Sequence, residues 1–339
     1  MKTRIILNPH TWIAFALLAA MVLAGTACRQ EPPPPAGPPE KITIAYPTTM
    51  LSVLTHIAYR QGYFLAEGLE VTPQWHSFGK PALQAVLEEK ADMAVVADTP
   101  IMFAVAGGQK INILAVTGTS RRSLSVVARK DRGILTPEDL KGKRIGVPLG
   151  TTGDFYLDSL LSIRGINRRE VRLVDLKPDE MPAALMQGNV DAVSIWNPTR
   201  KQLEAALQDN GVSIYDDHLY SDVACLAARA DFVARRPETV KKALRALLRA
   251  EAFARTQPGE AQRLVAELTG LERSLLRDIW DSYSWKVSLD QALIVSLEDQ
   301  TRWAIRQKLT SGREVPNYLD FLYLDGLLAV RPEAVRIIR

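Results

Sequence analysis

Cysteine is scarce in this chain of 339 residues, which contains only Cys28 and Cys225. Two cysteines can form at most one disulfide bond, so a disulfide-stapled fold is excluded. Histidine is also rare, and His56, His76 and His218 lack the spacing of metal ligands. No serine or cysteine lies in a recognised nucleophile elbow. We therefore predict no metal site, no cofactor and no catalytic residue.

A dominant charge of one sign is missing as well. The net charge is +4 at pH 7, and it falls to +2 without Lys2 and Arg4, which belong to a segment that we expect to be removed. Basic and acidic residues alternate along the chain as on a solvated surface, so nucleic acid is not an expected partner. The chain has 47% apolar and 24% charged residues, and its length suits about two globular domains of ~100–200 residues each.

The apolar run near the start of the chain, Trp12 to Leu23, is shorter than the ~20 residues that a membrane-spanning helix needs. Lys2 and Arg4 precede this run, and small residues follow it. This order is typical of an export signal, and we assign residues 1–27 to it. The rest of the protein is therefore expected to be exported and extracytoplasmic.

Cys28 directly follows the small residues of the signal. Its position resembles a bacterial lipobox, in which the cysteine is lipidated and becomes the new N-terminus, although Gly25 stands where that motif prefers leucine. Cleavage after Ala27 without a lipid is the alternative. The stretch Glu31–Glu40 (EPPPPAGPPE) is rich in proline and is expected to be extended. We interpret residues 28–40 as a lipid-anchored linker.

Strand and helix patterns alternate from Lys41 onward. This alternation predicts an α/β fold of mixed, mostly parallel sheets flanked by helices, with a second set of elements after Ser120. Beyond Pro237 the pattern is almost wholly helical. The predicted strands are 42–46, 69–72, 92–97, 111–116, 124–128, 144–148, 171–176, 190–195, 212–215 and 223–228.

A loop of glycines and hydroxyls, residues 150–153 (GTTG), lies between a predicted strand and a predicted helix. The first N–H groups of a helix have no partner within it, so such a loop can hold an oxygen-rich or anionic group. The loop is neither a Walker loop nor a dinucleotide fingerprint. An ordinary capped turn between strand and helix is the alternative.

Two segments of the chain resemble each other at a constant offset of 99 residues. Ala85–Pro100 (AVLEEKADMAVVADTP) aligns with Ala184–Thr199 (ALMQGNVDAVSIWNPT), and in both a strand ends at a polar residue shortly before a proline. The polar residues at the strand ends are predicted to be helix N-caps. The pattern indicates two similar α/β lobes. The alternative is that separate strand–helix units share these polar and proline residues by convergence. The matched positions are Asp92 with Asp191 and Asp98 with Asn197.

Ligands of open parallel sheets bind at the carboxyl ends of the strands, where this chain places hydroxyls, glycines, an amide and aromatic residues. These groups suit a small polar molecule in a cleft between two lobes. The candidate ligand-binding residues are Tyr46, Thr48, Thr49, Ser77, Phe78, Gly79, Asp98, Thr99, Thr117, Gly150, Thr151, Thr152, Gly153, Trp196 and Asn197.

Four stretches together resemble a known family. The sequence is similar to the extracytoplasmic solute-binding proteins of ABC importers, in the nitrate, sulfonate, taurine and thiamine-precursor branch. The matching stretches are GYFLAEGLEV (Gly62–Val71), ALQAVLEEKADMAVVADTP (Ala82–Pro100), LKGKRIGVPLGTTGDFYLDSLLSIRGI (Leu140–Ile166) and MPAALMQGNVDAVSIWNP (Met181–Pro198).

The resemblance implies a two-lobed periplasmic-binding-protein fold of the Venus-flytrap kind, in which two crossing segments form the hinge. One lobe would contain residues 41–120 and 226–339, and the other residues 121–225. In this family the ligand contacts loops that match Thr48–Thr49, Ser77–Gly79 and residues 150–153. The implied partners are a small solute, an ABC permease with its ATPase, and the membrane through the lipid anchor, with the binding protein acting as a monomer.

The expected solute is an anion like a sulfonate, taurine or nitrate. Asp98 complicates this expectation, because a carboxylate facing the cleft would repel an anion and could instead accept a hydrogen bond from an amine or a pyrimidine. If Asp98 only caps the following helix, the anion remains the better candidate. Two further functions stay open: a binding module for a sensor, and an enzyme of pyrimidine synthesis, a chemistry known among relatives of this fold.

Overall fold

This computed structural model describes residues 37–338 of the chain. The predicted export signal (1–27), the predicted lipidation site Cys28 and most of the linker 28–40 therefore lie outside the described residues. In the part that is described, no helix has both the length and the apolar character needed to cross a membrane.

Strands and helices alternate over most of the described residues. The strands are β1 (Glu40–Pro47), β2 (Leu69–His76), β3 (Met93–Ala97), β4 (Ile111–Ser120), β5 (Leu124–Arg129), β6 (Arg144–Val147), β7 (Arg172–Asp175), β8 (Ala192–Trp196), β9 (Gly211–Ile214), β10 (Asp222–Arg229), β11 (Tyr283–Ser284), β12 (Leu289–Asp290) and β13 (Val335–Arg336).

Most of the α-helices follow a strand. They are α1 (Val53–Arg60), α2 (Tyr63–Ala66), α3 (Gly79–Leu87), α4 (Asp98–Ala106), α5 (Thr152–Ile163), α6 (Met181–Met186), α7 (Thr199–Leu207), α8 (Ala230–Arg235), α9 (Pro237–Thr256), α10 (Pro258–Thr269), α11 (Arg273–Trp280), α12 (Gln291–Arg306) and α13 (Leu324–Val330).

The strands form two larger sheets of the same design. The first has the order β11-β4-β10-β3-β1-β2, and the second has the order β7-β6-β8-β5-β9. Each sheet contains three parallel strands, which are β1 to β3 in the first sheet and β6 to β8 in the second. The next strand in the sheet is antiparallel: β10 lies beside β3, and β5 lies beside β8. The predicted α/β class with two mixed sheets is confirmed.

Each sheet has its own apolar core, which makes the molecule two-lobed. Ile44 and Val95 belong to the core of the first sheet, and Ile145 and Val193 belong to the core of the second. The central strand β3 reads MAVVA and is buried at every position, as expected of a parallel strand that is covered on both faces. The two sheets therefore form two separately packed lobes.

The internal similarity is confirmed at its two aspartates. The side chain of Asp92 accepts a hydrogen bond from the backbone N–H of Thr43 at 2.7 Å, and that of Asp191 accepts one from the N–H of Arg144 at 2.9 Å. The backbone N–H of each aspartate in turn donates to the carbonyl of the same partner, at 2.9 Å and 2.8 Å. Each aspartate therefore links the start of one parallel strand to its neighbour.

The two predicted N-caps are wrong. Helix α4 begins at Asp98 with Ala97 as its N-cap, and α7 begins at Thr199 with Pro198 as its N-cap. Asp98 is thus one residue inside its helix, where its carboxylate is engaged by side chains from other elements. Asn197 lies two residues before its helix, because Pro198 comes between them.

Two predictions about helices need correction. The sequence TPED at residues 136–139 predicts a capping box at the start of a helix. The capping box is present, since the Asp139 carboxylate accepts the Thr136 N–H at 2.9 Å, but it opens only a 3₁₀ turn at Pro137–Leu140. The turn ends before Gly142, whose positive φ of 78° does not continue a helix. The region beyond Pro237 also contains strands β11 to β13, so it is less uniformly helical than predicted.

Sheet membership changes twice along the chain. It passes from the first sheet to the second between Ser120 and Leu124, and back again between Ile214 and Asp222. The family resemblance implies crossings near Thr117–Leu124 and Asp222–Leu226. The first of these ranges includes the first observed stretch, and the second meets the second stretch only at Asp222. The residue bounds of the lobes, 41–120 with 226–339 and 121–225, remain a prediction.

Candidate functional site

A narrow cavity lies between the two lobes. Its volume is about 20 Å³, which is room for about one water molecule. Six of the predicted ligand residues line it, together with five residues that the sequence did not single out. The predicted residues are Thr49, Phe78, Gly79, Thr151, Thr152 and Trp196, and the others are Leu51, Lys80, Ala97, Pro100 and Asp222.

Three helices begin at this cavity. Helix α3 starts after Phe78, α4 after Ala97 and α5 after Thr151, and all three preceding residues line the cavity. None of these N-cap residues uses its side chain to accept a helix N–H. The positive ends of three helix dipoles therefore meet at one small space. At α4 the backbone N–H of Thr99 is engaged by the Asp98 carboxylate. Such a space attracts an anion.

The loop before α5 is shaped by its glycines. Gly150 has a φ of 71°, a left-handed conformation that favours glycine, and its N–H donates to the Asp154 carboxylate at 3.0 Å. A Cβ on Gly153 would lie 3.0 Å from the carbonyl oxygen of Ser194. Gly153 therefore lets the first turn of α5 lie directly on the end of β8, where the Ser194 hydroxyl donates to the Gly153 carbonyl at 2.7 Å.

Two contacts close the cavity between the lobes. The Lys80 ammonium, on α3, donates to the Leu149 carbonyl of the second lobe at 2.8 Å. The rings of Phe78 and Trp196 lie with their centroids 6.5 Å apart. The lobes are thus in contact across the site, which explains the small volume of the cavity.

Asp98 does not line the cavity, although it was one of the predicted ligand-binding residues. Its buried carboxylate accepts hydrogen bonds from the hydroxyl of Tyr220, from the hydroxyl of Ser296 at 2.9 Å and from the amide of Gln300 at 2.6 Å. Burial raises the pKa of Asp98 to about 6 despite these donors. The carboxylate is therefore occupied by groups far away in the sequence, and it is not among the groups that line the cavity.

The predicted residues that do not line the cavity lie around it. Gly150 contributes to a neighbouring cavity of about 490 Å³, and Asn197 to an open pocket of about 820 Å³ near the hinge. Thr117 donates to the carbonyl of Ala224 within the first sheet at 3.4 Å. Ser77 is exposed, and Thr99 is buried.

Tyr46 is buried beside two other rings rather than in the cavity. Its ring centroid lies 5.1 Å from that of His56 and 4.7 Å from that of Trp75. Thr48 follows on the same strand end, where its N–H donates to the carbonyl of His76 at 3.1 Å. The ligand-binding roles assigned to Tyr46, Thr48 and the other candidate residues remain predictions.

The sequence did not single out Lys80 or Asp222. Asp222 is the first residue of β10, and 5% of it is exposed. One carboxylate oxygen accepts from the Ser123 hydroxyl at 2.7 Å, and the other has no partner among the described residues. Burial, reinforced by the charge of Asp98, raises the pKa of Asp222 to about 7. The only signal in the sequence was its position in the second predicted crossing.

A metal is not indicated by the side chains. Within residues 37–338 there is no group of three or more histidine, cysteine, aspartate or glutamate residues that could hold a metal ion. Cys225 is buried in β10 and unpaired.

Comparison with known proteins gives a consistent family and fold. The family model "NMT1/THI5 like" matches residues 53–261. The taurine-binding periplasmic protein of Escherichia coli (strain K12) is 27% identical over 207 residues, which are 59% of this chain and 62% of that protein.

Solved structures match over nearly their whole length. The alkanesulfonate-binding protein SsuA from Xanthomonas axonopodis pv. citri, bound to MOPS, has a TM-score of 0.73 at 20% identity, covering 89% of this chain and 100% of that chain. The periplasmic aliphatic sulphonate binding protein SsuA from Escherichia coli has a TM-score of 0.72 at 19% identity, covering 85% and 98%. At these identities the likeness establishes the fold, which is that of the periplasmic binding proteins.

Proposed function

Because the chain belongs to the NMT1/THI5-like family, we propose that it is the solute-binding protein of an ABC import system. It captures a small anion of the sulfonate, taurine or nitrate kind between its lobes and delivers it to the permease. The relatives named above support this class of solute, since the names of all three refer to taurine or sulfonates.

The observation that carries this proposal is the meeting of three helix N-termini at one interlobe cavity. Each N-terminus favours a nearby negative charge by about 0.3–1 kcal/mol, and by up to ~2 kcal/mol where it is partly buried. Backbone N–H groups also supply directed donors for the oxygens of a sulfonate. Two of the three helices belong to the first lobe and one to the second, so an anion held there bridges the lobes.

Hinge closure follows from the size of the cavity. About 20 Å³ does not hold a sulfonate, so the lobes must separate before a solute binds and then close on it. The solute favours closure only as far as its contacts are better in the closed state. The stretches between Ser120 and Leu124 and between Ile214 and Asp222 are the hinge in this proposal, and the lobes are residues 41–120 with 226–339 and residues 121–225.

The remaining parts of the proposal concern location and partners. The mature protein works outside the cytoplasm as a monomer, anchored to the membrane by a lipid on Cys28, and it carries out no reaction on its solute. Its macromolecular partners are the permease and the ATPase of the importer. The relatives named above are binding proteins by name, which supports binding without catalysis.

Isothermal titration calorimetry on the mature chain tests the proposal. Ethanesulfonate, taurine and nitrate are the probes, and glucose is a neutral polar control. We expect saturable binding of at least one anion and none of glucose. Failure of every small sulfonate, nitrate and aminosulfonate to bind would overturn the proposed function.

A further inference from the structure

A second pocket, of about 820 Å³, lies on the other side of the hinge from the interlobe cavity. In the first sheet, β4 and β10 separate β11, which lines this pocket, from β3, β1 and β2, which end near the cavity. In the second sheet, β5 separates β9, which ends at the pocket, from β8, which ends at the cavity. We call this space the hinge-side pocket, and its lining includes Arg121, Arg122, Arg200, Lys201, Asp278 and Asp281.

The position of the hinge makes the cavity and the hinge-side pocket reciprocal. The stretches between Ser120 and Leu124 and between Ile214 and Asp222 lie between the two spaces. A rigid rotation of one lobe that widens the cavity must therefore narrow the pocket. With the lobes in contact, the cavity has a volume of about 20 Å³ and the pocket one of about 820 Å³. Opening of the cleft brings the two walls of the pocket together.

The two walls of the pocket carry opposite charges. Helix α7 of the second lobe contributes Arg200 and Lys201, which share the single carboxylate of Glu204. Helix α11 of the first lobe ends at the pocket, with Asp278 in its last turn and Asp281 as its C-cap. Among the lining residues, the α7 wall is therefore positive and the α11 wall is negative.

The two aspartates are poorly compensated while the cleft is closed. Both are exposed at the C-terminal end of α11, where the helix dipole disfavours a negative charge. Neither carboxylate has a side-chain or ion-pair partner within residues 37–338. A cation that approaches them offsets the unfavourable dipole, and opening of the cleft moves the α7 wall, with Lys201, toward them.

We propose that the hinge-side pocket stabilises the open form of the protein, because its two oppositely charged walls meet when the cleft opens. A solute that closes the lobes must separate these walls, so the pocket lowers the affinity of a site that it does not touch. The inference rests on the proposed function for this effect on affinity. The balance between the open and closed forms, in contrast, exists without any solute.

Removal of the negative wall tests the proposal on the mature chain. The double variant Asp278→Asn with Asp281→Asn keeps the shapes of both side chains and removes their charges. We expect the radius of gyration of the ligand-free variant in small-angle scattering to fall below that of the wild type. Calorimetry with ethanesulfonate and taurine should give a Kd about 2–10-fold lower for whichever of them binds the wild type, the range for exposed ion pairs.

A second variant tests the pocket by its volume. Ser284 is exposed on β11 and lines the pocket, so the ring in Ser284→Phe should keep the walls apart whatever their charge and cause the same two changes. Glu70→Gln is the control, because Glu70 is an exposed carboxylate on β2 that lines neither space. It should match the wild type in both measurements.

The possible failures of the inference and of the proposed function differ. Wild-type scattering and affinity in both pocket variants would overturn the inference, and so would equal changes in Glu70→Gln. In these cases the proposed function stands. If no anion binds at all, the proposed function fails, and the scattering of the ligand-free variants still decides the inference.

Discussion

Buried polar side chains without partners concentrate where β1 ends and α1 begins. Among the described residues, the hydroxyls of Tyr46, Ser52 and Thr55 and both ring nitrogens of His56 make no hydrogen bond with protein groups. Burial lowers the pKa of His56 to about 3, so its ring is neutral at physiological pH. An unpaired buried polar group costs about 1–3 kcal/mol, and this end of the first lobe therefore contributes less stability than its packing suggests.

Replacing Tyr46 with phenylalanine tests that cost. Tyr46→Phe removes an unpartnered hydroxyl and keeps the ring, so the free energy of unfolding should rise by about 1 kcal/mol or stay unchanged. Tyr318→Phe is the matched variant, because Tyr318 is equally buried but its hydroxyl pairs with that of Thr301. That variant should lose about 1 kcal/mol in urea unfolding. A larger loss in Tyr46→Phe than in Tyr318→Phe would contradict the account.

The raised pKa of Asp222 gives a second prediction at this scale. A carboxyl group whose pKa is about 7 in the folded protein and 3.8 as its ordinary value holds its proton longer in the folded state. Its contribution to stability is therefore present below pH ~4 and is lost as the pH rises toward 7. His56 acts in the opposite direction over much of this range, because its pKa is lowered.

The comparison of Asp222→Asn with wild type removes the contribution of His56, which both proteins share. We expect the difference in unfolding free energy to shift in favour of the variant between pH 5 and pH 8, by on the order of 1–4 kcal/mol. Chemical denaturation at several pH values measures it. A difference that is constant with pH would mean that Asp222 titrates normally.

At the scale of the elements, short-range patterns in the sequence predicted much of the fold. The apolar run MAVVA predicted β3, and the capping box at Thr136 was correctly recognised because its partners are three residues apart. The role of Asp98 was not predictable in this way. Its partners Ser296 and Gln300 follow about 200 residues later, and only the packing of α12 against α4 brings them together.

The site was predictable where it consists of local motifs. Thr49, Phe78 and Thr151 follow strands and precede helices, so their positions at the cavity follow from the strand–loop–helix pattern. Asp222 opens an antiparallel strand that returns from the second lobe to the first. No short-range pattern indicates that such a residue reaches the cavity.

The close contact of α5 with β8 is testable through Gly153. In Gly153→Ala the added Cβ would meet the Ser194 carbonyl oxygen at 3.0 Å, so the start of α5 must shift. We expect a loss of about 1–3 kcal/mol in unfolding free energy, and weaker anion binding because the N–H groups of α5 move away from the cavity.

Gly259→Ala is the control for this variant. Gly259 lies in the first turn of α10, and a Cβ there would meet no atom within 4 Å. The substitution should leave anion binding unchanged and stabilise the protein slightly, by up to ~1 kcal/mol. Equal behaviour of the two glycine variants would show that the contact with β8 does not position α5.

At the scale of the whole molecule, helix α12 of the C-terminal region links the two lobes. The indole N–H of Trp303 donates to the Asp158 carboxylate on α5 at 2.6 Å, and the Gln307 amide donates to the same oxygen at 3.0 Å. The Trp303 ring also packs against Phe155 and Phe103, with centroids 5.2 Å and 5.8 Å apart. These contacts favour the closed arrangement independently of any ligand.

Loss of the Trp303 donor should therefore shift the molecule toward an open form. We expect Trp303→Phe to weaken sulfonate binding about tenfold and to increase the radius of gyration of the ligand-free protein in small-angle scattering. Trp285→Phe is the control, since the indole N–H of Trp285 has no partner among residues 37–338. If both variants bind like wild type, the link through α12 does not contribute to closure.

A crystal structure of the mature chain with a bound sulfonate would show whether the helix N-termini hold the solute. We expect sulfonate oxygens within about 2.7–3.2 Å of backbone N–H groups in the first turns of α3 and α5, between the two lobes. A sulfonate bound elsewhere, with these N–H groups facing only water in a closed molecule, would contradict it.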